Sequence, residues 1–123
     1  MIKRITQTFE VRGEIIIIKE FAKFDDSGNL IYDKVLDDIA MNKIYEIYRE
    51  RMGYYSLEMI RQLIFYYAGG YEKASEISGL SKLSLKLLCN GSLATQYEED
   101  KLELIAKAGI LLQSKKLTIK HTH

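Results

Sequence analysis

"GLSKLSLKLLCNGSLAT", residues 79–95, has the form of the second half of a helix-turn-helix. A G-x-S turn leads into a short helix, and Asn90-Gly91 stops it. A helix that reads DNA lies in the major groove and offers Arg, Lys, Asn, Gln or Ser to base edges and phosphates. This one offers Leu83, Leu85, Leu87 and Leu88, with Lys82, Ser84, Lys86 and Asn90 between them. Leu85 and Leu88 are expected to point into the core. Leu83 and Leu87 stand four apart and share a face, largely off that side. Exposed leucines suit a protein partner better than a groove lined with phosphates and water. Ser81, Lys82, Ser84, Lys86 and Asn90 are therefore candidate DNA contacts, helped by the helix N-terminus. Leu83 and Leu87 are candidates for a protein interface.

Upstream of this stretch, Ser56 starts a helix with Glu58 in its first turn, and Ile60, Leu63, Ile64 and Tyr67 make its apolar stripe. "AGG" breaks it, and "YEKASEIS" is a short helix before the turn. After "SLAT", residues 97–108 read as a helix with Leu102, Ile105 and Ala106 inward. Upstream, Asp37 or Asp38 is the expected N-cap of a helix in which Met41, Ile44, Tyr45, Ile47, Tyr48 and Met52 recur at helical spacing. Gly53 ends it. Tyr54, Tyr55, Tyr66, Tyr67 and Tyr71 cluster around the next helix. Tyr67 is expected to line the core, and Tyr66 and Tyr71 are candidates for a partner surface.

The first 36 residues read as a small antiparallel meander. "ITQTFEV" and "IIIIKEFAKF" are strands joined at "RGE", the second apolar enough to be buried, and "DDSGN" turns the chain into a third strand, "LIYD". So small a sheet cannot stand alone, and the connecting helix is its expected floor through Ile44, Tyr45 and Tyr48. The expected organisation is a β meander over 1–36, a helical domain over 37–110, and a last strand or loose tail over 111–123.

Composition narrows the function. The chain has 123 residues and a formal net charge of +1, which makes no global electrostatic case for nucleic acid. Residues 56–110 hold 6 basic and 7 acidic side chains, whereas 111–123 hold 3 lysines and no acid. Lys115, Lys116 and Lys120 could extend a basic face begun by Lys82 and Lys86. One cysteine, Cys89, excludes an internal disulfide or a Cys-based zinc site within one chain. The final His-Thr-His reads as a frayed end rather than a metal site. No apolar leader and no membrane-length run is present, so a cytoplasmic protein is expected. No Ser-His-Asp order, HExxH, P-loop or GxGxxG occurs, and catalysis is not expected.

Two stretches carry a family resemblance. "LDDIAMNKIYEIYRERMGYYSLEMIRQLI" (36–64) and "SGLSKLSLKLLCNGSLAT" (78–95) resemble the antitoxins of the MqsA/YgiT type and the related module that precedes SocA-like (Panacea) domains. That resemblance implies a small N-terminal β unit, a connecting helix closing on Tyr-Arg (here Tyr48-Arg49), and an Xre-like helix-turn-helix. Ser84-Leu85 take the family's Thr-Ile places, and Asn90-Gly91 match outright. The family binds zinc through two C-x-x-C pairs; here "FDDSGNLIYD" stands in their place, so neither metal nor cofactor is expected. Leu87 replaces the family's Arg, the natural bidentate contact to guanine or phosphate, and Leu88 its Tyr.

The expected fold is α+β: a three-stranded antiparallel meander packed on an all-helical, Xre-like helix-turn-helix domain. The expected function is a DNA-binding regulator, antitoxin-like, of a phage or other mobile element, acting on a double-stranded operator as a homodimer. The alternative is a degenerate helix-turn-helix that grips a toxin or host protein. No membrane association is expected.

Overall fold

Residues 2–24 form one long hairpin because β-branched and aromatic residues alternate along both arms. In the computed structural model, which describes the backbone of residues 1–121 and the side chains of residues 1–109, β1 is Ile2–Val11 and β2 is Glu14–Phe24. Arg12 and Gly13 join them with φ of 49° and 85°, the paired positive values of a two-residue type I′ turn. Arg12 is an unusual residue for that geometry, and its guanidinium lies over the Tyr48 ring, 5.6 Å from the centroid. The register sets Phe9 opposite Ile16, Gln7 opposite Ile18 and Ile5 opposite Glu20. A short β3, Leu30–Ile31, pairs with Lys23 and Phe24 to give the order β1-β2-β3.

Only one face of β2 is covered. Ile16, Ile18 and Ala22 are buried, while Ile15 and Ile17 are 52% and 61% exposed. The expectation of a fully buried strand is thus corrected: its isoleucines obey the two-residue period like any half-buried strand. The covered face packs on α1, Lys34–Met52, through Ala40, Ile44 and Tyr48, with Tyr45 partly buried. Asp33, not Asp37 or Asp38, caps α1, and its carboxylate accepts from the Leu36 N–H at 3.0 Å. Asp38 instead pairs with Lys34 at 2.8 Å, four residues back on an exposed face. Arg49 is buried on α1, its guanidinium 2.6 Å from the Glu46 carboxylate.

The chain divides into two compact units, Met1–Tyr54 and Tyr55–His123. The connecting helix lies in the same unit as the sheet.

The second unit is all helical. α2 (Leu57–Gln62) is capped by Ser56, whose hydroxyl accepts from the Met59 N–H at 3.1 Å. It runs into a π-helical turn, Leu63–Tyr67, where Ala68 N–H reaches the Leu63 carbonyl at 2.9 Å. The extra residue in this turn keeps Leu63 and Ile64 inside and leaves Phe65 and Tyr66 outside. α3 (Tyr71–Ser78), α4 (Lys82–Cys89) and α5 (Gln96–His121) follow. Ile60, Leu63, Ile64, Leu85, Leu88, Leu102 and Ile105 form the core, each fully buried; side chains of this size each contribute about 2 kcal/mol on burial. α5 crosses the π-helical turn at Gly109, where a Cβ would meet that of Tyr67 at 2.9 Å. The backbone of 111–121 continues α5 in place of the expected strand or tail. The side chains of Lys115, Lys116, Lys120 and His121, and all of His123, lie outside the described residues. The fold is α+β, and no described helix is long and apolar enough to cross a membrane.

Candidate nucleic-acid interface

α3 and α4 are joined by three residues, Gly79, Leu80 and Ser81. Gly79 takes φ of +79°, a left-handed conformation that lets the chain leave α3 abruptly. Leu80 is buried and anchors the turn; its carbonyl accepts from the Ser75 hydroxyl at 2.6 Å and its N–H donates to the Ser78 hydroxyl at 3.1 Å. Ser81 caps α4, its hydroxyl accepting from the Ser84 N–H at 3.1 Å. At the far end, Asn90 closes α4 with its N–H on the Lys86 and Leu87 carbonyls. Gly91 follows at φ +105°.

The eight residues of α4 sort cleanly by face. Leu85, Leu88 and Cys89 are buried. Lys82, Leu83, Lys86, Leu87 and the capping Asn90 are exposed, with Leu83 at 68% and Leu87 at 50%. Ser84 is half-buried and turned back on the cap, its hydroxyl 2.9 Å from that of Ser81. Lys82 stands 4.0 Å from the Glu72 carboxylate, at the limit of an ion pair between exposed groups. Lys86 lies over the Tyr71 ring, 5.7 Å from its centroid.

Tyr71 serves the packing of this surface more than its rim. It is half-buried against the core, with the Cys89 thiol as an electrostatic neighbour of its hydroxyl. Burial pushes the Tyr71 hydroxyl above its ordinary value, and the Cys89 contact adds to that. Burial pushes the Cys89 thiol up as well, opposed by Tyr71 and by Arg61. Tyr66 is 75% exposed and leans on Tyr67 with ring centroids 5.6 Å apart.

Two residues of this surface escape a reading of the sequence. Phe65 is exposed, its ring edge-on to Tyr71 at 5.1 Å, so that Phe65, Tyr71 and Lys86 form one continuous strip. Its only sequence signal is a Phe lying off the apolar stripe. Arg61 donates from Nε to the Cys89 carbonyl at 3.0 Å and so helps satisfy the end of α4. Nothing local in the sequence couples two residues 28 apart.

Asp25, in the turn after β2, and Asp33 are engaged in local contacts. The Asp25 carboxylate accepts from the Ser27 and Asn29 N–H groups, both at 2.9 Å, and thereby builds the turn. Asp33 is spent on capping α1. Among the described residues no three His, Cys, Asp or Glu side chains gather as a metal site.

The surface contains a capped, outward-facing helix bearing two lysines, an amide and two leucines, flanked by a Phe-Tyr pair. No protein-family model matches this chain, and no curated protein and no solved structure matches it.

Proposed function

We propose that α3, the Gly79 turn and α4 constitute a helix-turn-helix, and that the protein is a DNA-binding regulator of the antitoxin type, from a phage or other mobile element. One observation carries the reading. α4 is held by Leu85 and Leu88 beneath and capped at both ends, and it turns Lys82, Lys86 and Asn90 outward together with the Ser81 cap. A helix so mounted can enter a major groove N-terminus first. The resemblance of residues 78–95 to the MqsA/YgiT-type recognition helix supports the same reading. Two lysines release few counterions, so one copy binds weakly and with a shallow dependence on salt. Useful affinity requires a homodimer on two half-sites of an operator.

A second reading rests on a different observation, the exposure of Leu83 and Leu87. In it the same face grips a protein, a toxin or a host factor. Gel-shift assays on the upstream region of its own gene, with two double variants, decide between them. Lys82→Glu/Lys86→Glu is expected to abolish the shift while the wild type retains it at low salt. If wild type gives no shift and Leu83→Glu/Leu87→Glu releases a bound protein, the DNA reading fails.

A further inference from the structure

We propose that the outer edge of β1 is a self-recognition surface, through which two copies of this chain join antiparallel into one continuous sheet. Met1 and Phe24 exchange both hydrogen bonds, at 2.9 and 2.8 Å. Bonding alternates along an antiparallel ladder, so the odd residues of β1 face β2. Ile2, Arg4, Thr6, Thr8 and Glu10 aim their N–H and C=O groups outward. Among the described residues no strand pairs with that edge. By the same alternation the outward carbonyls of β2 belong to its odd residues, and there α1 intervenes. Arg51 donates to the Ile15 carbonyl at 2.5 Å and Lys43 to the Lys19 carbonyl at 3.4 Å. The outer side of β2 is thus met by β3 at Lys23 and Phe24 and by two cations of α1 further along, while the outer side of β1 is left as a ten-residue template.

The side chains of β1 select a second copy as the occupant. Two copies pairing about a two-fold axis perpendicular to the sheet keep the same face up, so each residue must meet one of its own parity. With the axis at Gln7, Arg4 falls opposite the partner's Glu10, Thr6 opposite the partner's Thr8, and Ile5 opposite the partner's Phe9. Arg4 and Glu10 lie on the open face, and Ile5 and Phe9 on the half-buried one. Each of these pairs occurs twice, and each is a favourable cross-strand pair. Moving the axis to Thr6 sets Arg4 against Thr8 and Ile2 against Glu10. Moving it to Thr8 leaves Arg4 with no acid. Charge thus fixes the register: β1 is basic at one end and acidic at the other, and complements itself when reversed. In the single chain Arg4 reaches across to the Lys19 carbonyl at 3.4 Å and lies near enough to the Glu20 carboxylate to help lower its pKa; a carboxylate directly opposite it on the open face is a stronger acceptor than a carbonyl.

The test is sedimentation equilibrium of the full chain from low micromolar to millimolar concentration. Wild type is expected to dimerise. Arg4→Glu sets two acids opposite each other twice and is expected to raise the dimer dissociation constant at least about tenfold. Arg4→Glu/Glu10→Arg restores the pairs in reversed order and is expected to recover the dimer. Thr8→Pro deletes only an outward N–H, which an edge strand tolerates, and is expected to give a folded monomer. A non-hydrogen-bonded pair sets Cα atoms about 4.5 Å apart, within disulfide reach. Gln7→Cys, made with Cys89→Ser, is therefore expected to form a disulfide-linked dimer, and Thr6→Cys is not. A wild type monomeric throughout, a dimer indifferent to Arg4→Glu, or no recovery in the charge-reversed double variant overturns the proposal. The contact uses no residue of α4, so a dimer silent on DNA, or a monomer that binds it, separates this inference from the proposed function.

Discussion

Cys89 is a buried thiol between Tyr71 and Arg61, and its environment makes a pH-dependent demand on folding. Burial raises its ionisation above the ordinary thiol value. In the unfolded chain that value is about 8.5. The neutral thiol's contribution is complete below that pH. It is lost as pH rises toward the folded value, because the unfolded chain ionises where the core does not. Tyr71 and Tyr55 are raised too, both first by burial, and extend the loss with the same sign. The urea midpoint is therefore expected to fall above about pH 8.5. Cys89→Ala is expected to remove the first part of that fall while leaving the part due to the tyrosines. A midpoint flat to pH 10 would contradict it. The inward positions of α4 were readable in the sequence because the Ser81 and Asn90 signals fix its ends, and period then assigns Leu85 and Leu88 to the core. Tyr71 was not readable as a packing residue. Its partner thiol is 18 residues away, and an aromatic at the start of a short helix gives no local sign of which way it turns.

Between elements, the start of α1 shows where local signals compete. Asp33, Asp37 and Asp38 all lie near the first apolar positions, and the sequence favours the later pair. The helix starts earlier because Asp33 takes extended backbone, φ −136°, and accepts from Leu36 N–H, which frees Asp38 to meet Lys34 along the helix. Asp33→Ala is expected to cost about 1 kcal/mol. Asp37→Ala and Asp38→Ala, on exposed surface, should stay within about 0.5 kcal/mol. Thermal denaturation of the three variants checks the order, and equal effects would return the cap to the later residues. The hairpin is a similar case. Four consecutive isoleucines suggest burial on both faces, but only the parity of Ile16 and Ile18 finds α1. Composition cannot say which face of a strand acquires a cover. The π-helical turn also left no trace in the sequence; it carries Leu63 and Ile64 into the core while Gly109 of α5 lies against Tyr67.

At the scale of the molecule, the α+β class followed from the order of strand and helix patterns, and the near-neutral charge was plain from composition. What could not be read was the asymmetry of the sheet's two edges. It depends on Lys43 and Arg51 reaching carbonyls 24 and 36 residues away. These two side chains are roughly half exposed, so they do little for the core. Their consequence concerns growth. A sheet with two open margins can add copies without end, as a fibre does. A sheet with one margin guarded limits its own growth: among the described residues, two molecules that meet through β1 use up its open edge and leave outward the margin that Lys43 and Arg51 cover. Lys43→Ala/Arg51→Ala is expected to leave the fold intact while letting light scattering rise steadily with concentration past the mass of two copies. A double variant that stops where the wild type stops would show that the second margin is closed by something else. Two cations on one helix, placed to answer two carbonyls, would then mark the difference between a counted assembly and an uncounted one.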